Sequence, residues 1–222
     1  MLLAIDTSTA QVGLALYDGT QILSEMTWTT RQHHTTELAP ALTGLLNRCG
    51  VSMDMVSALG VAVGPGSFTS LRVGLSLVKG IALARHIPVI GISTLDIIAA
   101  AQPVGKHPLA VVIQAGRKRI AVGWYKCLKN EWQVQGPVRS GTVDELADEI
   151  NSPTYVAGEL TSDDRTRMAR KRVNILLASP VYCIRRPSIL AELAWARWQN
   201  NDVDDAASLA PVYLHVEGTP IL

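Results

Sequence analysis

Apolar residues recur along this chain in two rhythms. Leu2–Ile5, Ala58–Val63 and Leu109–Ile113 are short unbroken runs bounded by polar residues, Gly or Pro, the pattern of strands buried on both faces. Val12–Tyr17, Gln21–Trp28, Pro88–Ile92, Ile120–Tyr125, Trp132–Val138 and Thr154–Val156 add further strands, and Asp18-Gly19 is a hairpin signal. The other rhythm is helical. Leu38, Leu42, Leu45, Leu46 and Cys49 share one face of a helix over 36–49 that Gly50 stops, with Pro40 near its first turn blurring the start. A second helix, 69–85, carries two stripes: Leu71, Leu75, Val78 and Ala82, then Val73, Leu77, Ile81 and Ala84, with Gly74, Ser76 and Gly80 between them. A surface helix shows one apolar stripe, so this one needs cover on two sides. One cover is its own sheet; the other is a neighbouring helix or a second protein. Ser93 caps a short helix through Ala101, Val143–Ile150 and Ile189–Trp198 are further helices, and Leu209–Val216 is apolar and extended.

The second half begins like the first. At a constant offset of 108, Ile5 meets Ile113, Asp6 meets Gln114, Val12 meets Ile120, Leu14 meets Val122 and Tyr17 meets Tyr125. Two copies of three strands followed by helix and strand imply a pseudo-duplicated α/β protein with mixed sheets. Gln102–Pro108 has the composition of a linker, which divides the chain into lobes 1–104 and 105–222.

The bulk properties narrow the function classes. In 222 residues, 48% hydrophobic and 18% charged composition argues for a well-buried globular chain. A net charge of +1 leaves nucleic-acid contact to a local patch or a partner. Cys49, Cys127 and Cys183 stand far apart, which fits buried thiols in a reducing cytoplasm rather than disulfides or zinc. The start has no basic leader, and Met55–Leu71 is broken by Gly-Pro-Gly, so neither a signal peptide nor a membrane span is expected.

Four stretches carry candidate chemistry. In Gly64-Pro65-Gly66-Ser67-Phe68-Thr69-Ser70, Gly64 and Gly66 permit φ > 0, and Ser67 or Thr69 can cap the following helix. The turn either holds an anion at the helix start or only turns the chain; it is no P-loop, since no Gly-Lys-Ser/Thr follows. Asp6, Thr7 and Ser8 close the first strand with a carboxylate and hydroxyls, which hold a metal–phosphate or satisfy a turn. His33 and His34 are adjacent, point apart, and read as exposed or capping residues rather than a metal pair. Arg165, Arg167, Arg170, Lys171 and Arg172, opposed by Asp163 and Asp164, read as a solvated helix face or, more sharply, an RNA contact.

Ala4-Ile5-Asp6-Thr7-Ser8-Thr9, the Gly64–Gly74 block, Pro88–Leu95 and Pro211-Val212-Tyr213-Leu214 resemble the bacterial TsaB (YeaZ) family over nearly the whole chain. The resemblance implies an α/β fold of two tandem ribonuclease-H-like lobes, the actin/Hsp70/sugar-kinase superfold. It implies a non-catalytic subunit, without a cofactor, of the cytoplasmic machinery that makes N6-threonylcarbamoyladenosine at position 37 of tRNAs reading ANN codons. The implied partners are the catalytic paralogue TsaD, the ATPase TsaE, tRNA indirectly through the complex, and a second copy in isolation. Pairing would use the first two helices, at Leu38, Leu42, Leu45, Ser70, Leu71, Val73, Gly74, Leu77, Val78 and Ile81. The turns Asp6, Thr7, Ser8 and Gly64, Gly66, Ser67 would be vestigial phosphate sites. Proteins like TsaD carry His-Leu-Glu-Gly-His where this chain has Thr94-Leu95-Asp96-Ile97-Ile98, and an aliphatic chain cannot ligate a metal. Gln114 stands where many members have Asp, followed by Arg117, Lys118 and Arg119. A small-molecule kinase of the same superfold is therefore disfavoured by Gln114, and a metallopeptidase by the missing histidines.

Overall fold

Leu2–Asp6 (β1) is buried along its whole length, and its alternation assigns the two faces of a sheet. Leu3 and Ile5 point to one face, Leu2 and Ala4 to the other. In this computed structural model, which describes residues 1–31, 33–116, 119–171 and 173–213, β1 is the centre of a five-stranded sheet of order β3-β2-β1-β4-β5. Its other strands are Gln11–Tyr17 (β2), Ile22–Thr29 (β3), Ala58–Gly64 (β4) and Val89–Ser93 (β5). β1, β2 and β3 run antiparallel, and β4 and β5 continue parallel to β1.

Helices His34–Cys49 (α1) and Phe68–Arg85 (α2) cover the Leu3/Ile5 face. Leu38, Leu42 and Leu45 of α1 and Leu75 and Val78 of α2 join Ile5, Leu14, Leu16 and Leu59 in one core. Pro40 lies well inside α1 rather than in its first turn, because the helix begins earlier than the apolar spacing predicts. The opposite face is built from small side chains, Ala4, Ala15, Ala58 and Ala62, and Pro187–Gln199 (α6) packs there through Leu190, Ala191 and Ala194. The approach is close: a Cβ added to Gly60 would stand 2.8 Å from the Ala194 methyl.

The second sheet repeats the first. Leu109–Gln114 (β6), Ile120–Leu128 (β7), Glu131–Val134 (β8), Thr154–Gly158 (β10) and Ile175–Leu177 (β11) lie in the order β11-β10-β6-β7-β8, with Arg139–Gly141 (β9) paired to β7. The strand directions match the first sheet position by position. The duplication has one slip: Tyr17 faces Leu2, but Tyr125 faces Leu109, one residue short of the constant offset. Val143–Glu149 (α4) and Ser162–Lys171 (α5) accompany this sheet; Thr142 and Glu145 form a reciprocal capping box on α4. Of the expected strand Trp132–Val138 only Trp132–Val134 is strand, within β8; β9 starts beyond it, and β11 is a strand that the periodicity does not reveal, being only three residues long. Thr94–Ala100 (α3) links the two halves of the sequence.

Contacts divide the chain into one unit of Met1–Ile97 with Arg185–Val212 and a second of Ile98–Ile184. The expected boundary at 104 gives all of 105–222 to the second lobe. Instead the chain returns at Arg185, because the small-residue face of the first sheet is covered by α6. In the tail, Leu209–Tyr213 forms no strand, and 214–216 fall outside the described residues.

Candidate functional site

The turn after β1 is closed by its own hydrogen bonds. Asp6, Thr7, Ser8 and Thr9 are all buried. Asp6 Oδ1 accepts the Ser8 N–H at 2.8 Å, and Oδ2 accepts Arg185 Nε at 2.8 Å. Thr7 Oγ1 donates to the Ser70 carbonyl at 2.7 Å and accepts the Gly74 N–H at 3.2 Å, which ties the turn to α2. Ser8 Oγ shares a hydrogen bond with Thr94 Oγ1 at 2.8 Å. The Ser67 N–H donates to the Ser8 carbonyl at 2.7 Å, bringing the Gly64–Ser67 turn against the first. That approach is why position 66 is glycine: its φ is not positive, but a Cβ would lie 2.3 Å from the Ser8 carbonyl oxygen. Gly64 does take a positive φ, 110°, and its bond to Pro65 is cis. Ser67 sits at the N-cap of α2 but does not cap it; its hydroxyl accepts from Ser70 Oγ at 2.9 Å. Of the two readings of Asp6, Thr7 and Ser8, the geometry is that of a satisfied turn.

Arg185 escapes the sequence analysis. Its side chain is buried, with Nη2 donating to the Gln11 carbonyl at 2.7 Å. A lone Asp at the end of a buried strand signals that a cation must answer it, but nothing in sequence points 179 residues downstream.

His34 is buried, and its Nε2 lies 2.9 Å from the Thr9 carbonyl oxygen. The expectation of exposed or capping histidines therefore fails for His34, which anchors α1 to the β1–β2 turn; His33 is exposed. Glu37 holds α1 to β3: hydrogen bonds from the Trp28 indole (2.9 Å) and then from Thr30 keep its carboxyl below the usual carboxylate range.

The second candidate is the outer face of α1 and α2. Leu71, Leu75, Val78 and Ala82 are the inward stripe, and Val73, Leu77 and Ile81 are half-buried on the outward side. Burial separates the expected interface residues into two groups. Leu42, Leu45, Ser70, Leu71, Gly74 and Val78 are buried within their own unit, and Leu38, though only 2% exposed, still borders the outer groove. Of the ten, Val73, Leu77 and Ile81 are the ones left half-buried. Val73 and Leu77, with Phe68, Thr69, Arg72 and Ser76 of α2 and Thr35, Leu38 and Ala39 of α1, line a mainly apolar groove of about 400 Å³. Phe68 is half-exposed, with the Arg72 guanidinium 3.7 Å above its ring.

In the second unit the Gln114 N–H donates to Glu159 Oε2 at 3.2 Å, and its amide donates to the Glu159 carbonyl at 3.0 Å. A carboxylate thus reaches this turn from the end of β10. Arg117, Lys118, Arg172 and Leu214 lie outside the described residues. Arg165 donates to the Ala178 carbonyl and Arg167 pairs with Asp144 at 3.6 Å, so the basic stretch on α5 is partly tied down. At the positions of the histidine pair, Thr94 and Ile98 are buried. No group of three or more His, Cys, Asp or Glu among the described residues is arranged to hold a metal, and no described helix is long and apolar enough to cross a membrane.

Residues 21–175 match the family model for TsaD, tRNA N6-adenosine threonylcarbamoyltransferase. The chain is 33% identical over 128 residues to the tRNA threonylcarbamoyladenosine biosynthesis protein TsaB of Bacillus subtilis, covering 56% of this chain and 55% of that one. To the TsaB of Haemophilus influenzae it is 27% identical over 98% of this chain and 94% of the relative. The solved YeaZ of Pseudomonas aeruginosa superposes with a TM-score of 0.78 at 27% identity, covering 96% of this chain and 99% of that one. The chain thus spans about half the length of the first of these curated relatives and nearly all of the other two proteins. Together with the duplicated actin-like sheets, these matches show that the chain belongs to the TsaD family, in the branch whose curated members are named TsaB.

Proposed function

We propose that this chain takes part in threonylcarbamoyladenosine biosynthesis on tRNA as a non-catalytic subunit, binding a TsaD-type paralogue through the outer face of α1 and α2. The relatives' names supply the process. The observation that carries the binding role is the second stripe of α2. Val73, Leu77 and Ile81 have no full cover within their unit, and Val73 and Leu77 line the apolar groove beside Phe68. An apolar helix pair of this kind is covered by a second pair in a four-helix interface. A TsaE-type ATPase would join the assembled pair, tRNA would be met through the complex, and a second copy would occupy the face when the paralogue is absent. The side chains at the former histidine positions support the non-catalytic role, since Thr94 is committed to Ser8 and Ile98 has no donor atom.

The test is co-purification with the TsaD-type paralogue from the same source. Val73→Glu and Leu77→Glu place a charge at half-exposed positions, so the chain should fold, while affinity falls by at least about 30-fold. Val134→Glu, on exposed β8, should leave binding unchanged. Undiminished binding by both α2 variants would place the interface elsewhere.

A further inference from the structure

A carboxylate at the end of the first buried strand, followed by hydroxyls, is where this superfold would hold a metal–phosphate. The residues present do not fit that group. Both Asp6 oxygens are engaged, one by the Ser8 N–H and one by Arg185 Nε. Thr7 Oγ1 and Ser8 Oγ are also committed, to α2 and to Thr94. The Ser8 carbonyl is met by Ser67 N–H at 2.7 Å. A divalent ion needs free oxygen ligands, and here it would enter beside a guanidinium already held against the carboxylate.

We infer that Arg185 is the built-in cation of this turn, occupying permanently, and from within the chain, the place of a metal-bound ligand. The geometry is that of a ligand held by a site. Arg185 is 1% exposed, the largest fully buried side chain among the described residues. Its Nε meets Asp6 Oδ2, its Nη2 meets the Gln11 carbonyl at 2.7 Å, and its backbone N–H meets Gln11 Oε1 at 3.3 Å. One residue thereby bridges the end of β1 and the start of β2, at the point where the chain re-enters the first unit. A planar guanidinium suits this place because it presents several fixed donors and keeps its charge at every working pH. The inference rests on this turn alone and stands whether or not the α1–α2 face binds a paralogue.

The experiment titrates the full-length chain with Mn²⁺, read by the loss of the free-ion paramagnetic resonance signal, and with Mg-ADP, read by thermal shift. Wild type should leave Mn²⁺ free and show no shift. Arg185→Met removes the internal cation, and this variant should take up Mn²⁺ at least ~10-fold more tightly than wild type. The double variant D6N/R185M, which keeps the volume but neither charge, should fold and lose that uptake. Uptake of Mn²⁺ or Mg-ADP by wild type that D6N abolishes would overturn the inference. So would a folded R185M that leaves Mn²⁺ free, since the turn would then be closed by something other than the guanidinium. If R185M does not fold, the comparison of wild type with D6N decides the matter: D6N-sensitive uptake overturns, and silence in both supports.

Discussion

One hydroxyl, Thr7 Oγ1, joins β1 to α2 by donating to the Ser70 carbonyl and accepting from the Gly74 N–H. Gly74 can come this near only without a side chain, because its Cβ would stand 2.3 Å from that oxygen. Gly74→Ala should therefore destabilise the chain by roughly 2–3 kcal/mol, through overpacking and the loss of a buried hydrogen bond. Gly80, on the same helix, has nothing within 4 Å of its would-be Cβ. Gly80→Ala should stabilise by about 0.5–1 kcal/mol, from helix preference alone. Urea midpoints of the two variants should move in opposite directions. Glu25 offers a pH readout. Burial opposes its charge, but hydrogen bonds from the Arg186 guanidinium and from Ser188 Oγ and N–H outweigh it and hold the carboxyl below its ordinary 4.5. The folded chain thus binds this proton less tightly than the unfolded one. The stability it contributes is complete above 4.5 and is lost as pH falls through the lowered value. Glu25→Gln should flatten the fall in stability between about pH 5 and about pH 3; parallel curves for the two proteins would count against this assignment.

At the scale of elements, α2 shows where sequence reading stops. Its two apolar stripes are countable from the sequence, and so is the need for two covers. Which stripe turns inward depends on the strand faces that meet it, and those are fixed only when β1, β4 and the Thr7 bond to Ser70 are assembled. Hence Leu71, Leu75 and Val78 of one stripe are core residues, while Val73, Leu77 and Ile81 of the other, no less helical in spacing, stay half-buried. The strands were legible for the opposite reason, since β1, β4 and β6 are apolar on both faces and need no orientation. The strap after α6 is held by polar contacts, of which those to Gly91 join residues more than 100 apart and are announced by no local pattern. Arg197 grips Asp202 with two donors at 2.7 and 2.9 Å and reaches Asp204 and the Gly91 carbonyl, while Asp204 takes the Gly91 N–H at 2.7 Å. Arg197→Ala should leave α6 in place and speed amide exchange at Gly91 and Asp204 by at least about 10-fold, as in a segment freed to open locally. Unchanged exchange there would show that the backbone bridge between Val89 and Asp204 holds the strap unaided.

At the scale of the whole molecule, the chain leaves the first unit after Ile97 and returns at Arg185, so the first fold is completed only by α6. The duplicated strand pattern was readable because each copy is local. The return was not, because Ile189–Trp198 looks equally able to cover either sheet. What selects the first is shape: Ala4, Ala15, Ala58 and Gly60 leave a shallow face, and Leu190, Ala191 and Ala194 fill it. Trp195 adds an edge-on contact with Tyr17 at 5.3 Å. A fragment ending at residue 104, the boundary the linker composition suggests, would leave Leu2, Ile90, Ile92 and Ile97 facing water on that side and Asp6 buried without its cation. At roughly 1.5–3 kcal/mol for each large side chain uncovered, the loss approaches the whole 5–15 kcal/mol by which such a domain is stable. The fragment 1–104 should accordingly show no cooperative thermal transition. The same fragment joined through a flexible linker to residues 185–213 should regain one, because α6 and Arg185 return together. Joining it instead to that segment carrying Ala194→Trp should fail, since Ala194 Cβ lies only 2.8 Å from where Gly60 would bear its own. A cooperative transition in 1–104 alone would mean that the sheet is stable without its second cover, and that α6 is an addition to the first unit rather than the piece that completes it.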